Sequence, residues 1–309
     1  MNVLKGILLK SASALMFAVM SALIRWLGEI VPVGQIVFFR SAFAILPVVV
    51  IYALRRELMT AVRTARPFGH VGRGIVGIAG MFFSFGSLAR LPLANATAIG
   101  FVAPLITVAL AALVLKERVR VFRWSAVGVG FFGVIVMLLP YLDLAHAPST
   151  ASAEETVGAV LALAAAFCNA ASVIQTRRLT DSETTSAIVL YFSLICAIAG
   201  LITLPFAWHN PTGKELAALI VIGLIGGISH LLLTESYRYA PTSVVAPFDY
   251  TSIIWAFVLG YAMFGEVPTI LVFVGAAIIA VAGLFVIWRE HQLGLKRARA
   301  RAPSRPTGT

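Results

Sequence analysis

Charge is what this sequence has least of. Only 12% of its 309 residues are Asp, Glu, Lys or Arg, whereas 60% are hydrophobic. Soluble domains average about 25% charged and about 45–50% apolar residues. A water-soluble fold of this composition would lack the polar surface needed to cover its core, and so apolar a chain is not disordered either. The composition therefore predicts an integral membrane protein.

Cysteines and catalytic motifs are also scarce. The two cysteines, Cys168 and Cys196, both fall in apolar runs, so no disulfide framework is expected. We expect both to be small residues that pack between helices. The sequence has no phosphate loop ending in GK[ST], no HExxH and no CxxC. GRGIVG at 72–77 opens an apolar segment without a preceding strand, so it does not fit a dinucleotide fingerprint. We expect no enzyme activity, no cofactor and no metal site.

What the sequence does contain is long apolar runs. A helix that crosses a hydrocarbon core of roughly 30 Å needs about 20 mostly apolar residues. The sequence offers ten such segments, and the predicted fold is an all-α integral membrane protein with ten transmembrane helices. The basic stretch 289–309 has no apolar periodicity and is predicted to be a disordered cytoplasmic tail. The ten predicted segments are 5–27, 35–54, 72–90, 95–115, 122–140, 157–177, 186–207, 215–236, 243–264 and 268–288.

The excess of basic residues predicts an orientation. There are 24 Lys and Arg residues against 13 acidic ones, a net charge of +11. If the N-terminus is cytoplasmic, most of the basic residues, Lys5 and Lys10 included, fall on the cytoplasmic side. The loop 141–156 has acidic residues but no Lys or Arg, which favours a periplasmic linker. We therefore expect an inner-membrane protein with both termini cytoplasmic, whose charge faces lipid headgroups rather than nucleic acid.

The two halves of the chain are related by a shift of about 150 residues. Segment 14–24 then aligns with 165–174, and 103–117 aligns with 252–266. Each half contains five predicted spans, so the two halves should cross the membrane in opposite senses. Inverted repeats are typical of secondary transporters, which bind their substrate between the repeats. The predicted repeats are 4–140 and 157–288, and the shift also superimposes Pro92 on Pro241 and Glu117 on Glu266.

Three stretches carry a resemblance to a known family: FFRS (38–41), ATAIGFVAPLITVALAALVLKERV (96–119) and APFDYTSIIWAFVLGYAMFGEVPT (246–269). The chain resembles EamA-type members of the drug/metabolite transporter superfamily over about residues 4–288. The resemblance implies two inverted five-helix EamA repeats and secondary transport of a small organic metabolite by alternating access.

The resemblance also guides the choice of substrate. Similarity to bacterial members that include riboflavin importers makes uptake of riboflavin, or of a similar flat heteroaromatic solute, the leading expectation. The alternatives are an exporter of amino acids or related metabolites, or an S-adenosylmethionine carrier. A membrane receptor or enzyme is disfavoured, because the stretch after Trp288 is short for an output domain and few ionisable groups converge.

Polar residues inside the spans are the candidate site, because an ionisable group in a bilayer usually faces a cavity or a partner. Asp249, His230 and Asn169 lie roughly 9, 10 and 12 Å from the cytoplasmic face by helix rise. With Tyr250 they predict a substrate pocket whose titratable pair responds to protons, a possible coupling ion. The alternative is that Asp249 and His230 only satisfy each other and hold two helices together.

The first repeat places apolar residues at the matching positions Met81, Gly100 and Phe101, which predicts a cavity with one polar and one apolar wall. Arg40 differs from the other candidates. It lies roughly 8 Å from the outer end of its span and about 13 Å in depth from Asp249, too far for a direct pair. It could reach outward, bond to a carbonyl at a helix end, or receive an anionic group of the substrate.

Three further patterns predict structural roles. Glu117 and Glu266 each close a span and are expected to accept hydrogen bonds at a helix terminus. Pro104 and Pro247 fall inside spans and are expected to bend them, so that helix ends swing during alternating access. The glycines of the third and eighth spans recur at helical spacing, which predicts close helix packing.

Overall fold

A computed structural model describes residues 3–54, 56, 59, 62–114, 121–139, 150–179, 182–240 and 245–301. Glu117, Pro241, the linker residues 141–149 and the last part of the predicted tail, 302–309, lie outside the described residues, as does the side chain of Pro247. Within the described ranges the secondary structure is helical throughout, without strands. The all-α prediction is therefore confirmed.

The helices of the first half follow the predicted segments closely. The fourth predicted segment is divided into two helices. The bounds are α1 Val3–Gly28, α2 Val33–Leu54, α3 Pro67–Leu88, α4 Leu93–Gly100, α5 Ala103–Val114 and α6 Val121–Leu138.

The second half repeats the pattern, with a short 3₁₀ helix, Ala246–Tyr250, at the start of its fourth segment. The α-helices are α7 Thr150–Leu179, α8 Thr185–Ile202, α9 Leu204–Ala207, α10 Gly213–Tyr239, α11 Thr251–Phe264 and α12 Ile270–Arg301.

Length and apolarity identify the helices that are able to cross a membrane. Seven stretches among the described residues are long and apolar enough, among them Val3–Gly28, the combined stretch Leu93–Val114 and Gly213–Ser236. Three further apolar helices are shorter: Trp124–Leu138, Ser186–Ile202 and Phe248–Phe264. The chain is thus a multi-pass membrane protein, while the count of ten spans and the inverted repeat stay predictions.

Helices of the first half pack on helices of the second half: α1 on α10, α3 on α7, α2 on α8 and α10, and α6 on α12. Glycine makes several of these contacts close. A Cβ added to Gly227 of α10 would lie 2.9 Å from the carbonyl oxygen of Ala44, and one added to Gly74 of α3 would lie 2.7 Å from Ile195. The predicted packing role of these glycines is confirmed, because a larger side chain would force the helices apart.

The two proline-containing spans are interrupted where a bend was predicted. α4 ends at Gly100, a turn at Phe101 and Val102 follows, and Pro104 is the second residue of α5. Pro247 is likewise the second residue of the 3₁₀ helix that leads into α11. Proline is well tolerated in a first turn, where its missing N–H has no intrahelical partner. Each proline therefore lies in the first turn of a helix and not in its middle, and the predicted swing of helix ends during alternating access stays a prediction.

The last helix is longer than expected. α12 continues to Arg301, well past the predicted end of the span at residue 288. Disorder was expected from residue 289 because the sequence there is basic and lacks an apolar stripe. Alternating Lys, Arg and Ala are nevertheless strong helix formers that can extend an existing helix beyond the bilayer. A helix therefore replaces the expected disorder over residues 289–301.

Candidate functional site

A cavity of about 480 Å³ lies where the two interrupted spans meet α1. This volume falls in the range of small-molecule sites. Most of its wall is apolar, and its polar lining consists of one carboxylate and several hydroxyl-bearing side chains. The cavity is lined by Ala14 and Phe17 of α1, Thr97, Gly100, Phe101 and Pro104 of the first interrupted span, Asp249, Tyr250 and Ser252 of the second, and Ile287 of α12.

The charged group of the cavity is an ion pair. The Nζ atom of Lys10 lies 2.7 Å from Oδ1 of Asp249. The Lys10 side chain is 1% exposed and that of Asp249 is 47% exposed, so the carboxylate faces the cavity with the ammonium buried behind it. A buried ammonium is stable only with a compensating charge. A cationic group entering the cavity would therefore compete with Lys10 for Asp249.

Hydroxyl side chains hold Asp249 at this position. At the junction between the 3₁₀ helix and α11, the Ser252 hydroxyl donates to the Asp249 carbonyl oxygen over 2.8 Å, and the Thr251 hydroxyl donates to that of Phe248 over 2.6 Å. Carbonyl groups freed by irregular backbone need such partners in a membrane. The local sequence thus stabilises the change of helix type that turns Asp249 toward the cavity.

The other functional feature of the cavity is an aromatic pair. The rings of Phe101 and Tyr250 stack with centroids 4.8 Å apart and an interplanar angle of 26°. Each ring comes from the interruption of one span, so the two interruptions meet at this point. Together with Phe17 they provide flat apolar surface, against which a planar ring system packs well.

The structure brings together only part of the predicted site. Phe101, Asp249 and Tyr250 line one cavity, but the expected pair of Asp249 with His230 is not formed. His230 instead contacts Arg40, whose Nη2 atom lies 3.2 Å from the His230 Nε2 atom. Arg40 is 6% exposed and does not reach outward. Helix rise gives only an approximate depth for each residue, whereas the rotation of each helix about its axis decides which side chains meet.

Met81 and Asn169 do not line this cavity. Met81 is buried and its sulfur accepts a hydrogen bond from the Ser41 hydroxyl at 3.7 Å. Asn169 is exposed on α7 and faces α3 near Gly80, where an added Cβ would lie 3.0 Å from its Oδ1 atom. Their predicted role in substrate binding stays a prediction without support from this cavity.

Sequence reasoning missed Lys10 and Phe17. Lys10 was counted with the cytoplasmic loop charges because it follows Lys5 closely. Lys10 lies roughly 10 Å from the start of α1, close to the depth of roughly 9 Å predicted for Asp249. This similarity in depth was the signal that could have found it. Phe17 carried no such signal, because an aromatic residue in an apolar helix is indistinguishable from a packing residue.

One end of the bundle is held together by a group of residues that we call the Glu266 network: Arg25, Leu88, Leu93 and Glu266. The Glu266 carboxylate is paired with the Arg25 guanidinium and accepts a hydrogen bond from the Leu93 backbone N–H at 2.7 Å. Arg25 also donates to the Leu88 carbonyl oxygen at 3.1 Å. Leu93 begins α4, where a negative charge is favourable. The predicted helix-terminus role of Glu266 is confirmed.

The other end is held by the Glu183 network: Thr64, Ala65, Arg66, His70 and Glu183. The Glu183 carboxylate accepts hydrogen bonds from the backbone N–H groups of Ala65 and Arg66, at 2.8 and 2.6 Å, and from the Thr64 hydroxyl at 3.0 Å. His70 Nε2 lies 3.5 Å away. Burial raises the pKa of the Glu183 carboxyl, but these hydrogen bonds outweigh it and hold the pKa below its usual value.

The fold and the site together define the class of this protein. It is a multi-pass membrane protein whose helices enclose a cavity with a charged group and aromatic walls. The family follows from the sequence. Residues 4–139 and 156–289 each match the profile of the EamA-like transporter family, so the chain belongs to that family.

Several relatives are named for what they transport. An S-adenosylmethionine uptake transporter of Rickettsia prowazekii is 29% identical and covers 87% of each chain. A pseudopaline exporter of Pseudomonas aeruginosa is 29% identical and covers 90% of this chain and 94% of its own. A riboflavin transporter of Rhizobium johnstonii is 28% identical, and the matched region covers 95% of this chain and 94% of that transporter. A solved crystal structure with 19% identity covers 92% of this chain and 98% of its own at a TM-score of 0.63, which shows the fold alone.

Proposed function

We propose that this protein is a secondary transporter that moves a small organic solute across the bacterial inner membrane by alternating access. The observation that carries the proposal is the cavity at the two interrupted spans, which presents the Asp249 carboxylate beside stacked Phe101 and Tyr250 rings. Discontinuous helices that meet near the middle of the bilayer are the usual place for substrate in transporters built from repeats.

The arrangement of the chain that we propose is two inverted five-helix repeats, ten spans in all, with both termini cytoplasmic. Two observations support the repeat. The family profile matches twice, at 4–139 and 156–289. The helix interruptions at Phe101 and Tyr250 also occupy equivalent positions under the shift of about 150 residues, and the two rings stack on each other. The charge distribution supports the orientation.

Asp249 is the residue that we propose for coupling transport to protons. Its carboxylate faces the cavity while Lys10 compensates its charge from behind. Protonation of Asp249, or arrival of a cationic solute, would release Lys10 from the pair. Either event changes the charge balance inside the bundle, and a change of buried charge can shift the equilibrium between two conformations.

The leading substrate is riboflavin or a similar flat heteroaromatic solute that is taken up. The stacked Phe101 and Tyr250 rings and the Phe17 ring favour a planar molecule. The volume of about 480 Å³ leaves room for one fused ring system. The riboflavin transporter among the relatives supports this choice.

The second candidate is a solute with a cationic group, such as S-adenosylmethionine or an amino-acid-related metabolite, moved inward or outward. The specific observation that favours it is the exposed Asp249 carboxylate, for which a neutral flavin offers no charged partner. S-adenosylmethionine has both a flat base and positive charge, and relatives named for its uptake support it.

Uptake by membrane vesicles tests both candidates. Vesicles of both orientations would be supplied with radiolabelled riboflavin or S-adenosylmethionine, with and without a pH gradient. We expect one solute to accumulate in a gradient-dependent way with wild-type protein, and Asp249→Asn to lose that accumulation. Glu154→Gln, which removes an exposed carboxylate paired with Arg90, is the matched control and should transport normally. Wild-type uptake with a normal pH profile in Asp249→Asn would remove Asp249 from the mechanism.

A further inference from the structure

Arg40 is a buried cation without a carboxylate partner in the described part of the chain. Its side chain is 6% exposed, and its polar contact is His230 Nε2, 3.2 Å from Nη2. The Nε atom is buried and has no hydrogen-bond partner among the described residues. Because arginine can only donate, His230 must accept through Nε2 and is neutral in this contact. The pair therefore holds one uncompensated positive charge.

Such a charge is unfavourable inside a helix bundle. A buried guanidinium needs an anion or several acceptors to replace its hydration, and a membrane offers neither. One flank of the Arg40 guanidinium faces Gly226, where even a Cβ would lie 3.5 Å from Nε. The Met20 sulfur lies nearby, 3.2 Å from the same Cβ position, so glycine leaves the space between Met20 and the guanidinium without a side chain of its own. These features are typical of a site that receives an anionic group from outside the chain.

Phe17 lies between this pair and the cavity. Its ring lines the cavity and also packs edge-on against the His230 ring, with centroids 5.1 Å apart and an interplanar angle of 82°. The ring is only partly buried, so its far side is accessible from the cavity. Phe17 is thus in contact with both the cavity that contains Asp249 and the Arg40–His230 pair.

We propose that Arg40 and His230 form a carboxylate-binding subsite of the cavity, reached past Phe17. The solute would place a planar or apolar body against Phe101 and Tyr250, a cationic group at Asp249, and a carboxylate on the Arg40 guanidinium. The proposal rests on the proposed transport function and sharpens it, because it assigns a dipolar solute with separated positive and negative groups. The planar fork of arginine suits a carboxylate better than a single ammonium would.

Three small aromatic probes, of which benzoate and benzamide are isosteric, test the subsite without knowledge of the natural solute. Benzoate, benzamide and benzylamine share one ring and differ in charge. The full chain is purified in detergent, and its thermal unfolding midpoint is followed as each probe is titrated, which yields apparent affinities. We expect wild-type protein to bind benzoate more tightly than benzamide. Equal affinities for these two probes in the wild-type protein would overturn the proposal.

Variants assign the preference to Arg40. In Arg40→Gln the benzoate affinity should fall on the order of tenfold to hundredfold, the loss typical of a charge-assisted hydrogen bond, until benzoate and benzamide bind alike. In Asp249→Asn the affinity for benzylamine should fall instead. Arg90→Gln removes an arginine of the exposed Arg90–Glu154 pair and is the matched control, which should keep the benzoate preference. A benzoate preference that persists in Arg40→Gln would overturn the proposal.

A second variant covers the case in which Arg40→Gln is not recovered as folded protein. Phe17→Ala removes the ring between the cavity and the pair, so benzoate affinity should rise several-fold. An unchanged or lower benzoate affinity would exclude the route past Phe17. Vesicle uptake tests the proposed function separately. A benzoate preference that depends on Arg40, in protein that transports none of the labelled solutes, would keep the anion subsite and remove the transport proposal.

Discussion

Different interactions hold the helices together at the two ends of the bundle, although a glutamate lies at the centre of each network. α3 runs between them, from the Glu183 network at its first turn to the Leu88 carbonyl of the Glu266 network at its last. With 22 residues it separates the two networks by about 33 Å. In both networks, a carboxylate from residues 156–289 accepts hydrogen bonding from backbone N–H of residues 4–139.

The difference lies in the charge of the partners. Glu266 is paired with a full cation, Arg25, in a partly buried environment. Glu183 depends on neutral N–H and O–H donors, and its titratable partner among the described residues is His70 at 3.5 Å. An ion pair lost from a buried site costs more than a neutral hydrogen bond does. The comparison predicts that the Glu266 end is the more tightly closed, and alternating access would require each end to open in turn.

Breaking the ion pair should give the largest effect. Glu266→Gln leaves Arg25 without its counter-charge and weakens the bond to the Leu93 N–H, at an expected cost of about 3–5 kcal/mol. The thermal unfolding midpoint of the purified protein measures this loss. Glu154→Gln, at an exposed pair, is the control and should change little. A Glu266→Gln midpoint equal to that of the wild-type protein would refute the assigned importance of the pair.

The matching change at the other end should cost less. Glu183→Gln keeps one acceptor oxygen for the Ala65 and Arg66 N–H groups but loses the negative charge that strengthens these bonds. We expect a loss of about 1.5–3 kcal/mol, measured as the same midpoint. If Glu183→Gln destabilises the protein more than Glu266→Gln does, the ranking of the two ends is wrong.

Acid should weaken the Glu183 network. The pKa of the Glu183 carboxyl is lower in the folded protein than its usual value of 4.5. A carboxyl with a depressed folded pKa stabilises the protein fully above its unfolded pKa, and this stabilisation disappears as pH falls through the folded pKa. The midpoint difference between wild-type protein and Glu183→Gln should therefore be constant from neutral pH to about 5 and shrink below 4.5. A difference that persists at the lowest pH at which the protein stays folded would contradict this prediction.

The smallest expected effect concerns the turn that positions Glu266. Gly265 ends α11 with a φ of 66°, and its N–H donates to the Tyr261 carbonyl oxygen at 2.9 Å. An added Cβ would meet no atom within 4 Å, so Gly265→Ala tests backbone strain alone and should cost about 1 kcal/mol. Gly213→Ala is the control, because its Cβ is equally free and its backbone has no positive φ. Similar midpoints for both variants would show that the positive φ at Gly265 does not require glycine.

Much of the fold could be predicted from the sequence, but little of the site. Each predicted apolar segment contains a helix, because hydrophobic runs of this length are a local property of the chain. Among the predicted site residues, Phe101, Asp249 and Tyr250 line one cavity in the structure, and their role in substrate binding stays a prediction. Asp249 was given the wrong partner, and Lys10 was assigned to a loop. Helix rise gives depth, whereas the direction of a side chain around the helix axis depends on packing.

The sequence by itself determined that this protein is helical, spans a membrane and belongs with transporters. Composition, the length of the hydrophobic segments and the family motifs are all properties of the linear sequence. Only the tertiary structure decided which buried charges meet. It paired Lys10 with Asp249 and Arg40 with His230, and it placed Phe17 between the two pairs. These contacts join residues more than a hundred positions apart, and close helix packing at glycine sets the rotation that makes them possible.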